Sequence, residues 1–404
     1  MNASTRNPIT LFGRTDFRHI QKPFGIRGDD RLSHMYVVGK TGTGKSTLLK
    51  TMIRQDLARG EGLALLDPHG DLVEQVLKTV PDERQKDLVY FNVPDTDRPM
   101  GFNPLAGVPR SARPLAASGI LQAFQKIWVD SWGPRMEYIL RNALLALLDN
   151  PGSTLADVLR LFNDKGFRKW VCHKVSNPQV REYWLREFEG YTTRLRAEAI
   201  APIQNKVGAF LSSPILRNII TQPRNAFDPR TVMDEGKILL ANLSKGRIGE
   251  DNAALIGALL VSRLGLAALG RADAPPEERK PFFLYLDEFQ TFTTLSLANM
   301  VAELRKYGMG LVMAHQYSSQ LSEEVRDAIL GNAGTMVSFR VGPEDAELLE
   351  GEFSPEIREA DLLSLPNYHF YVKLMVGGVV SRPFSAQIPY PPQGQPHCDE
   401  ASTS

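Results

Sequence analysis

Met35-Tyr-Val-Val-Gly-Lys-Thr-Gly-Thr-Gly-Lys-Ser-Thr47 decides the fold of this chain. Four apolar residues, Met35 to Val38, run directly into Gly39-x-x-x-x-Gly44-Lys45-Ser46. Leu48, Leu49, Met52, Ile53 and Leu57 then recur at three- and four-residue spacing, which predicts an amphipathic helix. A strand, a glycine-rich loop and a helix in that order make the phosphate-binding P-loop pattern. Glycines let backbone N–H groups turn inward as a nest, and the new helix adds the positive end of its dipole. Gly39, Lys40, Thr41, Gly42, Thr43, Gly44, Lys45, Ser46 and Thr47 are therefore expected to line a phosphate site. In such a loop the lysine, here Lys45, reaches the β- and γ-phosphates, and the hydroxyl of Ser46 ligates Mg²⁺. The implied ligands are ATP and magnesium.

A second anchor is Phe282-Phe-Leu-Tyr-Leu-Asp287-Glu288. An apolar strand ending in two carboxylates is the Walker B arrangement: Asp287 would hold the metal ion, and Glu288 would orient and deprotonate the attacking water. In the simpler alternative, Asp287 only caps a helix and Glu288 decorates its first turn. Gly310-Leu-Val-Met-Ala-His315-Gln316 is a third strand with a polar end; Gln316 would sense the γ-phosphate or place water there, or else His315 and Gln316 only close a strand-to-loop turn. The fourth is Leu65-Leu66-Asp67-Pro68-His69. Asp67 either assists the metal or closes an Asx–Pro turn, and His69 reads as a loop residue. All four lie at carboxyl ends of predicted strands, where open parallel sheets bind ligands. Phosphoryl transfer also needs a cation on the developing charge. Arg305 is the candidate, with Arg340 as runner-up; the alternative for Arg305 is to complement a helix C-terminus.

Composition fits a globular protein: 43% of the 404 residues are hydrophobic, 23% are charged, and the net charge is +1. That length suggests two lobes. Cys172 and Cys398 match no metal spacing and fit a reducing compartment, the cytoplasm. The N-terminus carries no signal-peptide core. The longest apolar run, Ala253 to Gly270, contains Arg263 and reads as a buried helix rather than a membrane span. Strand candidates cluster at 35–91 and 238–374, short and apolar as in a mostly parallel sheet buried on both faces. Gly377-Gly378 suits a two-residue hairpin, so the sheet is expected to end antiparallel. Residues 111–225 show only helical periodicity and carry 16 Lys and Arg against 9 Asp and Glu. A solvated surface explains that excess as well as a nucleic-acid face does. The expected architecture is α/β: a motor domain from 1–110 and 226–388, an all-α insertion at 111–225, and a disordered tail at 389–404.

Together, the motifs at 39–47, 65–72, 284–290 and 305–316 resemble the HerA/FtsK superfamily, and most of all the TraD/TraG-type conjugative coupling ATPases of type IV secretion. The resemblance implies a RecA-like ATPase domain, an all-α insertion, a hexameric ring around DNA and ATP-driven DNA translocation. It places the trans-acting arginine of the family on Arg305 and implies secretion-channel or relaxase partners. Such coupling proteins begin with transmembrane helices, whereas no span is read in the 38 residues before Gly39. The expectation is a soluble motor that docks on a membrane-bound partner or acts on DNA alone. Lys245-Gly246-Arg247, a polar turn after a strand, is the candidate pore loop, with an ordinary solvated turn as the alternative. Two other functions compete: a protein-translocating secretion or assembly ATPase, and a nucleotide-dependent binding switch. Glu288 argues against the switch, because mere binding needs no general base.

Overall fold

Alternate side chains of Met35–Val38 enter opposite cores, which makes this strand the spine of the molecule. Met35 and Val37 join the apolar cluster that includes Leu48, Leu49, Met52 and Ile53 of the following helix. Tyr36 and Val38 join the cluster on the other face. A strand coated on both sides is uniformly apolar because neither face meets water.

The computed structural model describes residues 7–16 and 21–389. In chain order the strands are β1 (Ile9–Thr15), β2 (Pro23–Arg27), β3 (Met35–Val38), β4 (Gly62–Asp67), β5 (Leu88–Asn92), β6 (Ile238–Asn242) and β7 (Phe282–Leu286), followed by β8 (Met309–His315), β9 (Thr335–Ser338), β10 (His369–Lys373), β11 (Met375–Val376), β12 (Val379–Val380) and β13 (Phe384–Gln387). Eleven form one sheet in the order β2-β1-β13-β10-β9-β3-β8-β7-β4-β6-β5. From β9 to β5 every pairing is parallel. From β9 outward through β10, β13, β1 and β2 every pairing is antiparallel. The expected α/β class and antiparallel ending are both present. Gly377 and Gly378 join β11 to β12 with φ of 60° and 81°, the paired left-handed conformation of a type I′ turn.

The helical segments between Arg113 and Ile220 follow β5 and precede β6. They do not form a detached lobe: Phe124, Ile139, Leu144, Trp184 and Ile203 share one apolar cluster with Leu66, Leu284 and Met313 of the sheet. The helix Glu250–Gly270 packs on the helix Arg113–Ile127. It is long and apolar enough to cross a membrane, yet 78% of its apolar window is buried inside the molecule. Of the expected tail, Pro389 is described and residues 390–404 lie outside the described residues.

A buried ion pair fixes the P-loop helix Lys45–Arg59 to the sheet. Arg31 donates to both carboxylate oxygens of Asp56, at 2.6 and 2.8 Å, and to the hydroxyl of Tyr285 on β7 at 2.6 Å. Tyr285 donates in turn to Asp56. Removing one partner of such a pair strands the other charge in a low-dielectric interior, which typically costs about 3–5 kcal/mol. Asp56→Ala is therefore expected to lose about that much unfolding free energy in urea titrations. A loss below about 1 kcal/mol would show that Arg31 finds water or another partner.

Candidate active site

The parallel register brings four strand ends to one rim. Val38 of β3 lies opposite His315 of β8, and Leu286 of β7 lies opposite Leu66 of β4. The residues that follow, Gly39, Gln316, Asp287 and Asp67, therefore emerge at one edge. Asp67, Asp287 and Gln316 border a cavity of about 1010 Å³ that is also lined by Thr41, Lys45, Ser46 and Glu288.

The loop from Gly39 to Gly44 closes over the start of its helix. Gly44 adopts φ 127°, and a Cβ there would come within 3.0 Å of Phe339 and Ile388, so both conformation and space demand glycine. Thr43 is buried and donates to the carbonyl of Lys40 at 2.7 Å. The Lys45 ammonium donates to the carbonyls of Gly39, at 2.5 Å, and Lys40, at 3.2 Å. Burial lowers its pKa, opposed by the charges of Glu288 and Asp287.

Asp287 and Glu288 are both buried. Burial raises the Asp287 pKa to about 7, assisted by the charges of Asp67 and Glu288, while Lys45 opposes the shift. Ser46 donates to one Asp287 oxygen at 3.5 Å, and the other oxygen is buried without a hydrogen-bond partner. Among the described residues no group of three or more His, Cys, Asp or Glu could hold a metal by itself. A hard cation that takes one or two protein oxygens and completes its shell from phosphate and water suits this donor set, as Mg²⁺ does. Glu288 sits at φ 48°, in the left-handed region. Such strain in a non-glycine residue persists only where surroundings over-determine it. Here Gln316 donates to one Glu288 oxygen at 3.0 Å and Gln290 donates to the other at 2.8 Å.

Other expectations resolve differently. The Asp67 carboxylate accepts the backbone N–H groups of His69, Leu72 and Val73 at 2.8, 2.8 and 3.1 Å, so it builds the turn after β4, the second of its two expected roles. His69 is exposed on the cavity lining. His315 is fully buried and shares a 2.5 Å hydrogen bond with the Tyr36 hydroxyl; burial and the Lys45 charge push its pKa to about 3, so it is a neutral core residue. Arg340 is committed to the carbonyl of Leu365 and the side chain of Asn367. Lys245–Ile248 forms one short helical turn rather than an irregular loop.

Arg305 is exposed at the start of β8, the end opposite Gln316. Six strand steps at roughly 3.3 Å put about 20 Å between the two ends. Arg305 does not reach the site of its own chain.

Two contributors are not singled out from the sequence: Gln290, which closes the motif at 284–290 without an assigned role, and Lys126, which lies in no motif. Gln290 holds Glu288, and Lys126, on the helix Arg113–Ile127, donates to the Gln290 carbonyl at 2.7 Å. On the same helix Gln122 accepts from the N–H of Ser296. The helical layer thus grips the loop after β7 at two points. Burial lowers the Lys126 pKa to about 8. Between pH 8 and the ordinary value of 10.5 the unfolded chain binds more protons at Lys126 than the folded one. Its contribution to stability therefore rises with pH across that window. Lys126→Met should flatten the rise in urea midpoint over that range, and an unchanged slope would place its origin elsewhere.

Fold and site together define a RecA-like P-loop protein. The family model for the central domain of the helicase HerA matches residues 23–263, more than half of the chain, and the chain belongs to that family. A second model, the TraM recognition site of TraD and TraG, matches residues 281–357. The HerA/FtsK resemblance of TraD/TraG type is thereby borne out. Similar solved structures include the bacterial conjugative coupling protein TrwB in its unbound monoclinic form, at 17% identity and a TM-score of 0.60, covering 93% of this chain and 89% of that one. TrwB in complex with ADP and Mg²⁺ gives the same identity and score and covers 95% of each. VirB4 of Thermoanaerobacter pseudethanolicus matches at 15% identity and a TM-score of 0.59, covering 97% of this chain and 98% of that one. No match is found among curated proteins.

Proposed function

We propose that this protein is an ATP-hydrolysing motor that couples turnover of Mg-ATP to the movement of DNA. The observation that carries the hydrolytic part is Glu288, buried in a left-handed turn with both oxygens held by glutamines beside Lys45 and Asp287. A nucleotide switch needs no such residue. TrwB has been solved with ADP and Mg²⁺ and with non-hydrolysable ATP and GTP analogues, which supports the same ligands here.

In this reading the P-loop N–H groups and Lys45 bind and orient the triphosphate. Mg²⁺, held by Ser46 and Asp287, supplies charge neutralisation on the β- and γ-oxygens. Glu288 accepts the proton of the attacking water, and Gln316 and Gln290 keep the carboxylate aimed. Arg305 is read as completing the site of a neighbouring subunit, as the family resemblance implies, and the roughly 20 Å of strand between it and its own site supports that reading. In this reading the subunits meet head to tail in a ring, with six of them as the resemblance stated above implies.

DNA as cargo rests on membership in the helicase HerA family and on the likeness to a conjugative coupling protein. Lys245 and Arg247, on the turn after β6, are assigned to the phosphate backbone, and relaxase or secretion-channel proteins to the delivery of the cargo. ATP turnover measured with and without single- and double-stranded DNA, across a salt series, tests the assignment. Stimulation that fades steeply with salt is expected, because neutralised phosphates release counterions. Turnover indifferent to both DNA forms would overturn the DNA reading in favour of a protein-moving motor.

A further inference from the structure

Tyr368 is a bulky residue in a backbone conformation that bulky residues avoid. Its φ is 68°, a genuine outlier for an aromatic side chain. Both of its backbone polar groups are tied: its N–H donates to the carbonyl of Thr43 in the P-loop at 2.7 Å, and its carbonyl accepts the N–H of Ile388 at 2.9 Å. The strain is thus fastened directly to the phosphate-binding loop. The residue is 46% exposed, and its ring lies against Gly44, with Cδ1 3.2 Å from where a Cβ on that glycine would stand. Tyr368 and Pro389 both line the cavity that Lys45, Ser46 and Glu288 border.

Strained residues persist where their surroundings over-determine them, as the two backbone hydrogen bonds do here, and they cluster at ligand sites; an exposed aromatic face in a nucleotide-sized cavity has a specific use. We propose that Tyr368 is the platform on which the nucleotide base stacks, beside Pro389, while the P-loop holds the phosphates. This rests on the nucleotide reading of the site and deepens it. Stacking rewards ring area more than the hydrogen-bond pattern of a base edge. The substrate class it assigns is purine nucleoside triphosphates in preference to pyrimidine ones, with ATP and GTP bound within a few-fold of each other.

Tripolyphosphate separates the platform from the loop, since it carries the phosphates without the base. Calorimetric titration of the full chain with Mg-ADP and with Mg-tripolyphosphate is the test, on wild type, Tyr368→Ala and Tyr368→Phe. Alanine tolerates positive φ no better than tyrosine does, so the backbone strain stays and only the ring is lost. Base–aromatic stacking makes roughly a 5- to 150-fold loss of ADP affinity the expected result for Tyr368→Ala. Tripolyphosphate binding should hold within about twofold of wild type, and Tyr368→Phe should bind ADP nearly as wild type does. Unchanged ADP affinity in Tyr368→Ala, or equal losses for ADP and tripolyphosphate, would overturn the platform and leave Tyr368 as a brace for the loop. A wild-type chain that binds neither ligand would instead overturn the nucleotide reading itself, and the platform with it.

Discussion

Glu288→Gln is expected to lower ATP turnover by roughly 10²–10⁴ while nucleotide still binds, because a positioned general base contributes about that much. Glutamine keeps the shape of the side chain and removes its basicity. It also upsets the two hydrogen bonds at that position: the carboxylate accepts from both Gln316 and Gln290, and an amide offers only one oxygen to two donors. The loss therefore combines missing base chemistry with a carboxamide turned from its aim. Gln290→Ala and Gln316→Ala separate these terms, since each keeps the carboxylate and frees one side of it. Both should lower kcat by less than Glu288→Gln does. Single-turnover hydrolysis with calorimetric ADP binding measures the two halves. Turnover within a few-fold of wild type in Glu288→Gln would remove Glu288 from the proton transfer, whatever the binding data show.

What could be seen in the sequence divides along physical lines. The parallel half of the sheet was legible because each strand is a short apolar run at its own place in the chain, and β4, β7 and β8 end in or run straight into polar residues that mark the rim. The pair β1 and β2 was not. Ile9–Thr15 is interrupted by Gly13, and it joins the sheet through β13, from the far end of the chain, so no local pattern announces it. The P-loop, Asp287, Glu288 and Gln316 were legible because their chemistry fixes residue type and position together. Asp67 stayed open between two roles for the opposite reason: a carboxylate at a strand end serves a turn or a metal equally well until its hydrogen bonds are seen, and here they build the turn. Gln290 sits in the motif at 284–290, but its role there, like those of Lys126 and Tyr368, rests on a hydrogen bond or an exposed face that any neighbouring polar or aromatic residue could supply. No spacing rule singles them out. In the case of Tyr368, the signal is a backbone angle.

Arg305→Ala should cost about 10³–10⁵ in turnover if the guanidinium completes the site of a neighbouring subunit, the range seen when an arginine finger is removed. A loss alone would not prove that role. Arg305 ends the helix Leu295–Leu304, so substitution also removes a favourable charge near a helix C-terminus, worth typically about 0.3–1 kcal/mol. Mixing separates the two. A site assembled across a head-to-tail contact takes Glu288 from one protomer and Arg305 from the next. Pure Glu288→Gln rings lack every base, and pure Arg305→Ala rings lack every finger. Equal, random mixing makes about one contact in four pair an intact Glu288 with an intact Arg305, so the mixture should recover on the order of a quarter of wild-type turnover. A finger acting within its own chain predicts no recovery, because each protomer would remain broken whatever its neighbour carries. Subunit exchange must be allowed to finish before turnover is read, and a wild-type sample mixed with Glu288→Gln gives the scale. If the doubly broken mixture stays as inactive as its components while that control scales with its wild-type share, Arg305 is no trans-acting residue. The roughly 20 Å between Arg305 and Gln316 along β8 would then mark a structural charge at the far rim of the sheet.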